Sequence, residues 1–345
     1  MSIPQPPRRK GPKNLPTLPL SAFSPPNSGT SESFPLPPSP SLVHPASVVD
    51  ANVIPVKGDL SLAAWKSQAG DLLAGRMSNG GVVLSLLSAD GISNVIKEVE
   101  SSADRNQIVS LVLPFDIDNP DTSLEAVLSN SSVPISLSTV FTKSTPEAVA
   151  GLRWALERNR PVDIDIQATL SDSVLEGFED MLTKATADLE NTPPIILSNI
   201  LPPPHDLDLP IVKLMNHPTY LAFQAQTAAL SLFANVYIKY LPPVWNATTP
   251  HTPLPGTASS APAESDLKQQ REWKRRIKMY LGPVMEAFGY ERIVFGSSPS
   301  PLSKASSNVG DWYELARESL AELGVEQEFV NAVFGGNAKT VYGSK

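Results

Sequence analysis

The strongest constraint on this chain is an alternation. Eight short apolar, β-like runs recur along it: Val48–Ile54, Val82–Leu87, Ile108–Phe115, Val133–Phe141, Val162–Ala168, Ile195–Asn199, Asn235–Tyr240 and Ile293–Ser297. Between them lie stretches of helical length and spacing, among them Ser61–Ala74, Ile92–Ser101, Pro146–Glu157, Ser173–Leu189, Tyr220–Phe233 and Leu267–Ala287. Strands that alternate with helices pair in parallel, because a helical crossover returns the chain to the same end of the sheet. Eight such units predict an α/β fold, the (β/α)8 TIM barrel; an open doubly wound sheet is the alternative. Late helix endings are marked by glycine, Asp311–Leu323 stopping at Gly324 and Glu326–Phe334 at Gly335 and Gly336. No glycine-rich phosphate loop follows the first strand, so dinucleotide binding is not expected.

The alternation does not cover the whole chain. Of 345 residues 35 are Pro, and they are unevenly spread. Residues 1–46 are rich in Pro and Ser and poor in periodic apolar residues, too little apolar surface to offset the entropy of ordering. They are expected to be a disordered, partly polyproline tail, leaving 47–345 as the barrel. A second Pro/Ser/Thr-rich stretch at about 246–265 reads as a loop inserted in the folded domain. In the tail, Pro4-Gln5-Pro6-Pro7-Arg8-Arg9 fits a PxxPx[RK] ligand for aromatic-lined grooves. An SH3-type partner engaging Pro4, Pro7 and Arg9 is one expectation; a solvated tail is the plainer one.

Composition removes several function classes. The chain has no Cys, so thiol nucleophiles, disulfides and Cys-ligated zinc are excluded, and with four His any metal would lean on few imidazoles. A net charge of −8 argues against nonspecific nucleic-acid binding. No apolar run approaches the roughly 20 residues of a membrane helix, and no apolar signal core is visible. The expectation is a cytoplasmic protein without membrane or nucleic-acid partners.

Strand faces can be read by parity. In Val162-Asp163-Ile164-Asp165-Ile166-Gln167 the polar residues share one face and the apolar ones the other. In a barrel the apolar face meets the helices, so Asp163, Asp165 and Gln167 point inward and need partners. Lys239, on the seventh run, is a candidate partner, either as a structural ion pair or as part of a site.

Four segments carry a resemblance. Phe288-Gly289-Tyr290-Glu291-Arg292-Ile293-Val294-Phe295-Gly296-Ser297-Ser298 resembles the last barrel strand of the amidohydrolase-related proteins, especially their lactonase-like branch, which usually reads FGPERLMFGSD. The closing helix, Phe334-Gly335-Gly336-Asn337-Ala338-Lys339-Thr340-Val341-Tyr342-Gly343, has that family's NA…YG ending. Asn235-Val236-Tyr237-Ile238-Lys239 is similar to its NVYVK strand, and Val48-Val49-Asp50-Ala51-Asn52-Val53-Ile54-Pro55 to its opening VVDAHVHP. The resemblance covers roughly residues 48–345. It implies a barrel whose HxH pair, further His on strands five and six, and a strand-eight Asp hold a divalent metal such as zinc at the C-terminal mouth. Such a metal would activate water for lactone, ester or amide hydrolysis.

The sequence departs from that pattern at nearly every ligand position. The two His of HxH are Asn52 and Ile54, the strand-six His falls at Ser198-Asn199, the strand-eight Asp is Ser298, and the strand-five His falls near Asp165 or Gln167. Ile cannot ligate a metal, and neutral Asn and Ser are weak ligands, so no metal cofactor is expected. Of the four His, His44 borders the tail, His251 lies in the insert and His217 opens a helix as a surface or capping residue. His205, in the loop after strand six, is the one imidazole on the catalytic face. Asp116 and Asp118 have turn spacing, and the basic stretch Lys268–Lys278 reads as a solvated helix face around the core-spaced Trp273, Ile277, Tyr280 and Leu281.

The resulting expectation is an amidohydrolase-related barrel that has lost catalysis, a pseudoenzyme or a binding barrel for a small polar ligand in its mouth. The alternative is an active, metal-independent hydrolase of a small lactone or ester, with Asp50, Asp165, Lys239 or His205 as acid/base.

Overall fold

The computed structural model describes residues 39–345, except 57–59, 77–79, 89, 122–123, 205–206, 253–263, 304 and 344–345. Its strands are β1 (Val49–Val53), β2 (Gly81–Ser85), β3 (Ile108–Pro114), β4 (Ile135–Phe141), β5 (Val162–Ile166), β6 (Ile195–Leu201), β7 (Val236–Tyr240) and β8 (Ile293–Phe295). They form one sheet in sequence order, every neighbouring pair parallel. The α-helices are α1 (Ala63–Arg76), α2 (Ile92–Ser101), α3 (Leu124–Asn130), α4 (Pro146–Glu157), α5 (Asp172–Thr186), α6 (Ile211–Leu214), α7 (Pro218–Ser231), α8 (Glu264–Phe288), α9 (Val309–Ala321), α10 (Gln327–Asn331) and α11 (Asn337–Tyr342). β8 returns to lie beside β1. The sheet is thus a nearly closed (β/α)8 barrel, and the open-sheet alternative is set aside.

The seam between β1 and β8 is made by few bonds. The Ser298 backbone N–H donates to Asn52 O at 2.9 Å, and the Ser297 N–H donates to the Asp50 carboxylate at 2.8 Å. Gly296 permits this approach: a Cβ there would sit 2.7 Å from both the Asn52 Cβ and a Leu241 methyl.

Two apolar layers follow from strand parity. The larger packs outward strand residues such as Leu111, Ile164 and Ile238 against the helices. The smaller lies inside the barrel, joining Val49, Ala51, Val83, Val112, Ile196 and Val294 to Ala338, Val341 and Tyr342 of α11. That last helix touches β1, β3 and β8 and plugs the N-terminal end of the barrel, so any cavity is left at the C-terminal end.

Local sequence explains several helix starts. Thr145 caps α4 by accepting from Ala148 N–H with Pro146 in the first turn, and Asn308 caps α9 by accepting from Gly310 and Asp311 N–H. His217 caps α7 by accepting from Thr219 N–H, the capping role expected for it. Trp273, Ile277, Tyr280 and Leu281 are buried as their spacing predicts. The opposite face is less solvated than expected, since Lys274 and Lys278 pair with Glu318 and Glu322 near the end of α9.

Residues 39–46, assigned to the tail by composition, are tied to the barrel. Arg317 donates to Pro40 O and Val43 O at 2.8 and 2.6 Å, Arg76 to Pro45 O at 2.9 Å, and Gln327 to His44 O at 2.8 Å. A Pro-rich segment makes few bonds of its own, but its carbonyls accept from distant side chains, which composition alone does not reveal. The tail motif with Pro4, Pro7 and Arg9 lies outside the described residues, as does the middle of the insert. The near end of the insert is fastened by Thr249 Oγ1 to Ser307 Oγ at 2.9 Å and by Thr252 N–H to Asp311 at 2.7 Å.

Candidate functional site

A cavity of about 610 Å³ opens among the C-terminal ends of the strands. That is within the range of small-molecule sites. Its lining divides by strand. β5, β7 and the stretch after β8 supply Asp163, Asp165, Gln167, Lys239 and Ser300, with Asn52 from β1. The side of β2 to β4 supplies apolar residues such as Leu86, Phe115, Ile117 and Val140, interspersed with Ser138, Thr139 and Thr142.

The deepest polar group is an ion pair. Lys239 Nζ lies 2.5 Å from Asp163 Oδ2, with side chains only 2% and 7% exposed. A buried carboxylate this close needs its other oxygen satisfied as well. Tyr342 does this from the plug helix, its hydroxyl donating to Asp163 Oδ1 at 2.6 Å. Burial, then the neighbouring Asp163 charge, raises the Tyr342 phenol well above its ordinary pKa, so it remains a donor. Lys239 also donates to Asn52 Oδ1 at 3.3 Å, and that oxygen accepts from Ser85 Oγ at 2.9 Å. The Asn52 amide donates to Ser298 O at 2.8 Å. The inward parity of β5 and the Lys239 partnership are therefore as predicted, with Asp163 as the partner.

Nearer the mouth, Asp165 is held by neutral donors. Its Oδ1 accepts from Asn199 Nδ2 at 2.7 Å and Ser300 Oγ at 2.9 Å, and its Oδ2 from Gln167 Nε2 at 2.9 Å. Asn199 has a left-handed backbone, φ 65°, which non-glycine residues adopt at some cost. In that conformation its amide reaches Ile166 O as well as Asp165. Asn199 does not itself line the cavity; it orients a residue that does.

The other candidates fall elsewhere. Asn52, Ile54, Asp165, Gln167 and Lys239 line the cavity; Asp50 and Ser298 do not. Asp50 has the same sequence parity as Asn52, but the register shifts between Asp50 and Val53, and a bulge re-aims side chains. Asp50 consequently faces α1 and the β1–β8 seam, where Trp65 Nε1 donates to Oδ2 at 2.9 Å and Asn52 N–H to Oδ1 at 3.1 Å. Of the four acid/base candidates of the alternative reading, Asp50 is thus the one held in the seam and outside the cavity lining. Ser298 belongs to the same seam, its Oγ accepting from Ile54 N–H at 3.0 Å. His205 lies outside the described residues. His44, His217 and His251 do not line the cavity. Asp116 makes the expected turn, its Oδ1 accepting from Asp118 N–H at 3.0 Å.

Burial raises the Asp50 pKa, outweighing the hydrogen bonds from Ser297, Asn52 and Trp65 that lower it. The folded protein thus binds this proton more tightly than the unfolded chain. Asp50 then favours folding at low pH, and its contribution falls as pH rises from the unfolded carboxylate range, about pH 4, through the raised value. Urea unfolding across that window should show the stability difference between wild type and Asp50→Asn shifting toward the variant as pH rises; a constant difference would contradict this.

Sequence reasoning missed Tyr342, Ser85 and Ser300. Tyr342 belonged to a quoted motif, but nothing local indicates that its hydroxyl reaches a carboxylate on β5. Ser300 follows the eighth strand in a serine-rich stretch where no one hydroxyl stands out.

No protein-family model matches the sequence, and no curated protein matches it. Solved structures do match. One is a zinc-bound amidohydrolase from Burkholderia multivorans, with a TM-score of 0.54 at 17% identity over 86% of this chain and 99% of that one. Another is a Pseudomonas putida protein assigned as a 2-pyrone-4,6-dicarboxylic acid hydrolase, with a TM-score of 0.52 at 15% identity over 86% and 98%. The class is thus that of (β/α)8 barrels, and the chain has the fold of these amidohydrolase structures. The described residues at the mouth do not fit a zinc ion. Among the described residues no three His, Asp or Glu side chains converge on one point. The Asn52 oxygen is already engaged by an ammonium and a hydroxyl.

Proposed function

We propose that this chain is an amidohydrolase-related barrel in which an internal ammonium stands in for the metal centre, and that it binds a small molecule at its mouth without hydrolysing it. The observation that carries the reading is the position of Lys239 Nζ, between Asp163 Oδ2 at 2.5 Å and Asn52 Oδ1 at 3.3 Å. Asn52 occupies the place of the first HxH imidazole in the resemblance. A dication held about 4 Å from an ammonium would be disfavoured by about 8 kcal/mol at an effective dielectric constant of about 20. A metal and the Lys239 pair therefore compete for the same space.

The geometry gives less support to a metal-independent hydrolase. A general base needs a lone pair aimed at water beside the scissile carbonyl. Asp165 spends three acceptor positions on Asn199, Ser300 and Gln167, and Lys239 is engaged with Asp163.

Elemental analysis of protein purified without chelator from metal-replete cells tests this reading, together with a panel of sugar lactones and aryl esters. The expected result is metal far below one ion per chain and no turnover. One tightly bound ion per chain would overturn the proposal. Chelator-insensitive turnover that disappears in Asp165→Asn would instead establish the hydrolase.

A further inference from the structure

The charge inventory of the cavity has a consequence for what enters it. Among the described lining residues the charged groups are Asp116, Asp118, Asp163, Asp165 and Lys239; none is Arg or His. Lys239 is neutralised by Asp163. Among the described residues Asp165 has no cationic partner, for its three hydrogen bonds come from an amide, a hydroxyl and an amide. Neutral donors orient a carboxylate but leave its charge uncompensated. A half-buried charge without a counter-ion is costly to keep. Three donors also leave one of the roughly four acceptor positions of a carboxylate open.

The β2 to β4 side supplies the second observation. Leu86, Phe115, Ile117 and Val140 add apolar surface to the same lining, and Val140 sits beside Asp165 in the β4–β5 register. Leu87, at 65% exposure, and Val140, at 42%, extend it to the rim, where water is displaced only when something apolar lies on them. The cavity therefore presents apolar side chains together with an oriented anion, with further negative charge at the rim from Asp116 and Asp118.

We infer that the cavity selects small organic cations: a protonated amine on Asp165, with its apolar body against Leu86, Phe115 and Val140. Lys239 lies deeper, since Asp163 precedes Asp165 by one pleat repeat, about 6.6 Å along the strand. Its ammonium can donate to an oxygen at the buried end of the same molecule. Carboxylate ligands are disfavoured, because among the described residues no unpaired cation lines the cavity to receive them. This inference rests on the binding reading above and deepens it.

The test is titration calorimetry of the full chain with three ligands of similar size and different charge: phenethylamine, phenethyl alcohol and phenylpropionate. The amine is expected to bind about tenfold or more tightly than the alcohol, as one charge-assisted hydrogen bond allows, with the acid weakest. Asp165→Asn should erase the preference for the amine over the alcohol. Val140→Lys, at the exposed rim, should weaken the amine and strengthen the acid without touching the buried network; it decides the matter if Asp165→Asn does not fold. Equal or tighter binding of the acid, no saturable binding of the amine, or an amine preference untouched by both variants would overturn the inference. These outcomes are separate from metal content, which bears only on the underlying reading.

Discussion

Replacing Lys239 by Met should lower the unfolding free energy by about 3–5 kcal/mol, the usual cost of stranding one member of a buried ion pair. The side chains of Lys239 and Asp163 are 2% and 7% exposed, and without the ammonium Asp163 keeps only the Tyr342 hydroxyl. The double variant Lys239→Met with Asp163→Leu removes both charges and should recover much of the loss, because the desolvation of the pair is then no longer incurred. Urea unfolding of the two single variants and the double completes the cycle. If Lys239→Met unfolds like wild type, the pair is not buried as described, and the idea that it excludes a metal falls with it.

The second large effect is expected at Gly151, on the face of α4 that presses against the loop after β3. A Cβ there would lie 1.8 Å from the Ile117 carbonyl oxygen and 2.8 Å from its carbon. Backbone cannot rotate away as a side chain can, so Gly151→Ala forces the loop to shift. The overpacking should cost about 3 kcal/mol, more than the roughly 1 kcal/mol that Ala gains over Gly in a helix. Ile117 lines the cavity, so the same substitution should weaken ligand binding at the mouth. Gly282, within α8, is the control: a Cβ there meets nothing within 4 Å. Gly282→Ala should stabilise the protein by roughly 0.5–1 kcal/mol. Chemical denaturation of both variants checks the contrast, and equal effects would refute the steric argument.

How much was legible beforehand differs from residue to residue. The inward face of β5 was readable because a strand has a period of two, and Asp163, Asp165 and Gln167 all line the cavity as that period requires. In β1 the same period does not hold, because the register shifts between Asp50 and Val53, so Asn52 lines the cavity while Asp50 does not. Asn52 was singled out for its place in a motif, and it does line the cavity. Asn199 was singled out in the same way, but its left-handed backbone turns its amide onto Asp165. The ties of residues 39–46 were not readable, because they come from Arg317, far along the chain, which binds the carbonyls of Pro40 and Val43.

The sequence by itself determined the strand–helix alternation, hence the barrel, and which residues of a regular strand face inward. Both depend on periodicities that a short window contains. Only the tertiary structure decided that Asp163 is closed from below by Tyr342 and from the side by Lys239, and that among the described residues Asp165 has neutral partners alone. Those contacts join residues 179, 76 and 135 positions apart, for Tyr342 with Asp163, Lys239 with Asp163, and Ser300 with Asp165. Closing a barrel brings the ends of eight strands to one place, and no local pattern encodes which side chains then meet.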